Sequence, residues 1–229
     1  GSNGAGNPGG AGNPVKDGED YLTSYLWKEV LQRDSLLDIL HRFMSYTKAK
    51  KKLIFPRYHQ YDVVKKVLGD VKENGPGNNY LIEHSAGSGK SNSIAWIAYR
   101  LASVHNEYDE PIFDSVIVVT NRVVLDGQLQ ETINSFDHQA GLVAAIDDKK
   151  TSKDLADAID DNRKIIICTI QKFPFAYEKM KKISGKKFAV IVDEAHQGQN
   201  GKSAKTLKKA LVDLNVAVRE IEEGEDIEE

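Results

Sequence analysis

The segment Leu81-Ile82-Glu83-His84-Ser85-Ala86-Gly87-Ser88-Gly89-Lys90-Ser91 constrains this chain more than any other part of it. It sets a small glycine-rich loop between a short apolar strand and an amphipathic helix. Gly87 and Gly89 let the backbone turn tightly and bring bare N–H groups up to a phosphate. The helix that follows adds the positive end of its dipole. Ser88 lies inside this cradle, Lys90 has the length to reach the β- and γ-phosphates of a nucleotide, and the Ser91 hydroxyl can ligate Mg2+. The plain pattern G-x-x-x-x-G-K-[ST] has glycine where this chain has His84.

A second stretch complements the first. Phe188-Ala189-Val190-Ile191-Val192 is short, apolar and rich in Val and Ile, and it runs into Asp193-Glu194-Ala195-His196. Such a run suits a parallel strand buried on both faces. Ligand sites in parallel sheets lie beyond the carboxyl ends of the strands, so the two carboxylates should face the loop around Lys90. Nucleotide hydrolysis needs one carboxylate to hold the metal and another group to orient the attacking water. Asp193 suits the first task and Glu194 the second. An acidic strand end merely solvated at the surface is the plainer alternative.

Asp-Glu-Ala-His is a DEAH box, and with the phosphate loop it makes the chain resemble the first motor domain of a superfamily 2 helicase or translocase. In that superfamily the position of His84 is less restricted. More closely, the chain resembles the motor-nuclease subunit of a type I restriction enzyme, from about Tyr21 to about Leu211. Three further strings carry the narrower likeness. The first is Phe55-Pro56-Arg57-Tyr58-His59-Gln60, ahead of a helix with Val64, Val67, Leu68 and Val71 on one face. Its Gln60 is similar to the adenine-reading glutamine of the superfamily, since an amide matches N6 and N7 of adenine; a polar helix start accounts for the same letters. The second is Thr120-Asn121-Arg122 followed by Leu125, Asp126 and Gln128, where the family has an aspartate in place of Asn121. The third is Thr169-Ile170-Gln171-Lys172-Phe173, after the strand Ile165–Cys168. The resemblance implies that Thr120, Arg122, Thr169 and Lys172 touch the backbone of double-stranded DNA. An ordinary loop arginine, helix caps and strand ends explain each residue alone. After the DEAH box many relatives carry Arg-Ser-Gln; here the letters are Gln197-Gly198-Gln199. By that resemblance Gln199 fits, with His196, a role coupling hydrolysis to movement, and the arginine of the relatives' string is absent here.

Alternation of strands near 80–83, 115–120, 164–168 and 187–192 with helices predicts an α/β domain of three layers around a parallel sheet. A further strand near Gly141–Ala145 is compatible with the pattern. By resemblance this is a RecA-like P-loop domain, expected over 49–215 and preceded by a helical linker segment over 21–48. Residues 1–20 are rich in Gly, Asn and Pro and read as a flexible linker or cloning remnant, and 216–229 as an acidic mobile tail. With no initiating methionine, the chain reads as a piece of something longer. Nothing after His196 resembles the second motor domain of the superfamily, which supplies arginines worth roughly a thousandfold or more in turnover. Weak ATP binding and little hydrolysis are therefore expected of this chain alone. No nuclease constellation is evident, so DNA cleavage is expected of other parts of the parent.

The 229 residues are 40% apolar, enough for one substantial core. Net charge is −3. Residues 219–229 hold seven acidic groups against one arginine, a net of −6, which leaves a mildly basic +3 for the rest. One cysteine, Cys168, precludes a disulfide framework, and the six histidines are too scattered for a zinc site. No apolar run approaches a membrane span and no signal peptide is evident, so a cytoplasmic setting is expected. The resemblance implies ATP and Mg2+ as cofactors and, through the parent, the methylation and specificity subunits of a restriction complex as partners. Two other readings stay open: another superfamily 2 helicase or remodeller, and a non-catalytic scaffold gated by nucleotide. A partner-binding module built on the 21–46 segment alone is a third.

Overall fold

Strands β3 (Ser115–Thr120) and β5 (Ile165–Thr169) are buried at every position. That degree of burial is satisfied only by a sheet with helices on both faces, and the computed structural model has this arrangement. It describes residues 24–47, 51–84, 87–120, 132–133, 141–146 and 150–193. β4 (Val143–Ile146) and β6 (Phe188–Val192) complete a four-stranded sheet in the order β4-β5-β3-β6. All three pairings are parallel, with Val118 opposite both Ile167 and Ile191. The fold class read from the sequence holds, including the strand near Gly141–Ala145.

Alternate strand residues point to opposite faces, and the core divides accordingly. Val116, Val118, Ile165, Ile167 and Ala189 join the apolar faces of α2 (Tyr58–Asn74) and α3 (Lys90–Ala102). Ile117, Val119, Ile146, Ile166 and Cys168 join α4 (Ser152–Asp160) and α5 (Phe173–Lys182) on the other side. Cys168 is a small buried hydrophobe, as expected. The spacing Val64, Val67, Leu68 and Val71 forms the buried stripe of α2. No helix among the described residues is long and apolar enough to cross a membrane.

The segment ahead of the sheet departs from a purely helical linker. A π-helical turn, Leu26–Val30, leads into α1 (Arg33–Arg42), and the chain then forms a hairpin of β1 (Ser45–Thr47) and β2 (Lys52–Ile54). This hairpin straddles the boundary expected at 48/49. Ile39 and Phe43 belong to the main core. The Phe43 ring packs 5.2 Å from Tyr61 and 5.5 Å from Trp96, and Trp96 Nε1 donates to the Phe43 carbonyl at 3.0 Å. Arg100 of α3 donates to Asp38 of α1 at 2.8 Å. The segment is thus fastened to the sheet domain through α3.

A second departure concerns residues 80–83, expected as a strand. They join no ladder, and β6 has β3 as its one neighbour among the described strands. The Asp70 carboxylate of α2 accepts from Asn74 at 2.7 Å and Asn78 at 2.9 Å, and also from the Tyr80 hydroxyl. These bonds, with that of Tyr80 the largest, hold the Asp70 carboxyl below the usual carboxylate range. The approach to the loop is thereby tied to α2, leaving Leu81 80% exposed while Ile82 packs on the core.

Truncating a buried aromatic side chain costs about 3–5 kcal/mol. Phe43→Ala should accordingly lower the urea midpoint of the whole domain. If α1 were a free linker, the midpoint would stay where it is.

Candidate functional site

The loop between Ile82 and α3 turns on two residues in the left-handed region, Gly87 (φ 72°) and Gly89 (φ 88°). A side chain at Gly89 would meet more than torsional strain, since a Cβ there would lie 2.6 Å from Gln60 Nε2. Gly89 caps α3, which begins at Lys90, so Lys90 and Ser91 occupy the first turn. Ser88 is buried.

Gln60 holds this loop from α2. Its Nε2 donates to the carbonyls of Ser88 (3.2 Å) and Gly89 (2.9 Å), and its Oε1 accepts from the Arg57 amide (2.9 Å). One amide thus closes the first turn of α2 and fixes two consecutive peptide units of the loop. At 3% exposure it is not a solvated helix start. The Arg57-x-x-Gln60 spacing, in which a glutamine reaches back to the residue preceding the helix, was the available signal for this internal bond.

β6 delivers Asp193 from the opposite side. The Asp193 amide donates to the Val119 carbonyl at 2.9 Å, which extends the β6 pairing with β3 by one residue and fixes where the carboxylate emerges. Lys90 Nζ then lies 3.0 Å from Asp193 Oδ1. Residues more than a hundred apart in sequence, singled out separately, meet as an ion pair. The donor set suits Mg2+, a hard cation that takes oxygen ligands: the Ser91 hydroxyl adjoins Lys90 in sequence, and a carboxylate faces that lysine. Bare loop amides and the start of α3 suit a phosphate.

His84 adds contacts that the motif alone did not reveal. Its Nδ1 is 3.1 Å from Ser88 Oγ, and its ring lies 5.7 Å from that of His59 at 64°. Burial, then His59 and Lys90, push the His84 imidazole below its ordinary pKa.

Of the residues expected to touch DNA, the three described ones are not all exposed. Thr120 and Thr169 are register partners at the ends of β3 and β5, each 1% exposed. Lys172 Nζ donates to the Lys150 carbonyl at 3.0 Å. Arg122, Glu194, His196 and Gln199 lie outside the described residues.

Comparison with known proteins shows the family. The family model for the SWI2/SNF2 ATPase matches residues 59–217, a span that includes the phosphate loop and the DEAH box. The chain is 31% identical over 196 residues to the type I restriction enzyme HindI endonuclease subunit of Haemophilus influenzae, covering 80% of this chain and 18% of that protein. Two Methanocaldococcus jannaschii proteins described as type I restriction enzyme endonuclease subunits are 24% and 28% identical, covering 90% and 87% of this chain and 23% and 18% of their own lengths. The chain therefore spans less than a quarter of the length of these relatives. It belongs to the SWI2/SNF2 ATPase family, as a segment similar to the endonuclease subunits of type I restriction enzymes.

Proposed function

We propose that this chain is the first motor domain of an ATP-driven DNA translocase that serves the endonuclease subunit of a type I restriction enzyme. The Lys90–Asp193 ion pair is the observation that carries this reading. In the resting pocket each member neutralises the other. A triphosphate with its metal would replace both halves of the pair at once: Lys90 would turn to the β- and γ-phosphates, while Asp193 and Ser91 would take the metal. That metal would neutralise charge on the transferred phosphoryl group. Gly87, Ser88 and Gly89 would supply backbone amides. Glu194 would orient the attacking water, and Gln60 would read adenine by releasing part of its hold on the loop. His196 and Gln199 would couple hydrolysis to movement.

DNA backbone contact is assigned to Arg122 and Lys172; Thr120 and Thr169, buried as they are, would take part only after the strand ends opened. The parent protein would draw duplex DNA past a complex held by methylation and specificity subunits before cutting.

The exchange makes an unusual demand on Asp193→Asn. Without metal, the substitution removes the carboxylate charge that faces Lys90 and so a negative charge from the phosphate site. Metal-free affinity for a fluorescent ATP analogue should rise about tenfold, equivalent to about 1.4 kcal/mol, while the gain from adding Mg2+ should largely vanish. Weaker metal-free binding in the variant would argue against the exchange. Lys90→Ala should abolish saturable binding with or without Mg2+. In the full-length parent, Glu194→Gln should retain ATP and stall translocation, whereas a scaffold gated by binding alone would keep its activity. Stimulation of the parent ATPase by RNA rather than duplex DNA would favour a different superfamily 2 role.

A further inference from the structure

His84 and His59 form a pair that the proposed chemistry does not use. The two rings meet edge to face at 5.7 Å, one from the phosphate-loop segment and one from the first turn of α2. Both Nε2 atoms are buried and have no hydrogen-bond partner among the described residues. His84 Nδ1 is engaged with Ser88 Oγ, so the imidazole is coupled directly to the loop. An additional proton has a place at either Nε2.

The charges facing this pair decide when the proton is held. Lys90 from the start of α3 acts unfavourably on protonated His84, as does the second imidazole, and Asp193 beyond Lys90 neutralises that lysine. Among the described residues, the one carboxylate on this side, Asp193, is already balanced by Lys90. A triphosphate in the loop reverses this balance, because it brings several negative charges close to the pair. We infer that the His59–His84 pair is a proton-binding subsite of the nucleotide pocket, so that a nucleotide is taken up together with a proton. This inference rests on the nucleotide reading given above.

The sign follows from linkage. Nucleotide raises the affinity of the pair for a proton, so by reciprocity the proton raises affinity for nucleotide. Affinity should therefore increase as pH falls through the bound-state pKa of the pair and level off below its free-state pKa. Inside that window the gain is at most about tenfold per pH unit for each proton.

Calorimetric titration of the chain with ATP and Mg2+ at pH 7, in two buffers of different ionisation enthalpy, measures protons taken up per nucleotide. Uptake in the wild-type chain that disappears in the His59→Gln/His84→Gln double variant is the expected result. Saturable binding with no buffer dependence, or uptake that persists in the double variant, overturns the subsite and leaves the nucleotide reading intact. Absence of saturable heat from the wild-type chain overturns both. Should the double variant fail to fold, the imidazole nitrogen shifts of the wild-type chain give the same answer: the His84 titration must move to higher pH when nucleotide is added. No movement would dismiss the subsite.

Discussion

Burial of β3 and β5 on both faces is the constraint from which the rest of the molecule follows. A strand with no solvated face needs a helical layer above and below, and parallel pairing brings every carboxyl end to one rim. The helix after the phosphate loop lies on one of those layers, and the strand leading to Asp193 pairs with β3. Lys90 and Asp193 therefore meet because α3 is packed on the sheet and β6 is part of it, even though their sequence neighbourhoods have nothing in common. Attraction between two partly exposed groups is worth only about 0–1 kcal/mol. The ion pair is thus a result of the fold rather than a cause of it.

The phosphate loop is held by more than its glycines. Gln60 fixes the carbonyls of Ser88 and Gly89, His84 engages the Ser88 hydroxyl, and Asp70 restrains Asn78 and Tyr80 on the approach. Each contact comes from a side chain on, or packed beside, α2. This helix in turn packs against α3, so the loop is set between two mutually supporting elements. Loop residues held in this way, such as Ser88 and Gly89, give up less conformational freedom on binding a ligand.

Much of this was legible in the letters, for identifiable reasons. Ile165–Thr169 is a continuous Ile-rich run because neither face is wetted, whereas Phe188–Val192, expected to be buried on both faces, is only half-buried at the edge of the described sheet; both runs could still be placed within a residue or two. Tyr80-Leu81-Ile82 looks equally strand-like but joins no ladder; its Tyr80 instead bonds Asp70, a contact ten residues away with no periodic signature. The β1–β2 hairpin escaped for a related reason, since three-residue strands carry too few alternations to stand out. The letters around Gln60 suggested an adenine reader or a polar helix start, whereas its bonds to the loop required two segments almost thirty residues apart to be seen together. At Thr120 and Thr169 the hydroxyls suggested surface contacts, yet their strands are central and the side chains are enclosed.

The ion pair at 3.0 Å also bears on what the proposed pocket would select. A lone anion would answer the Lys90 charge and leave that of Asp193, and a lone cation would answer Asp193 alone. A ligand carrying both signs would satisfy the two halves together, so on this reading the pocket would favour phosphate and metal arriving jointly.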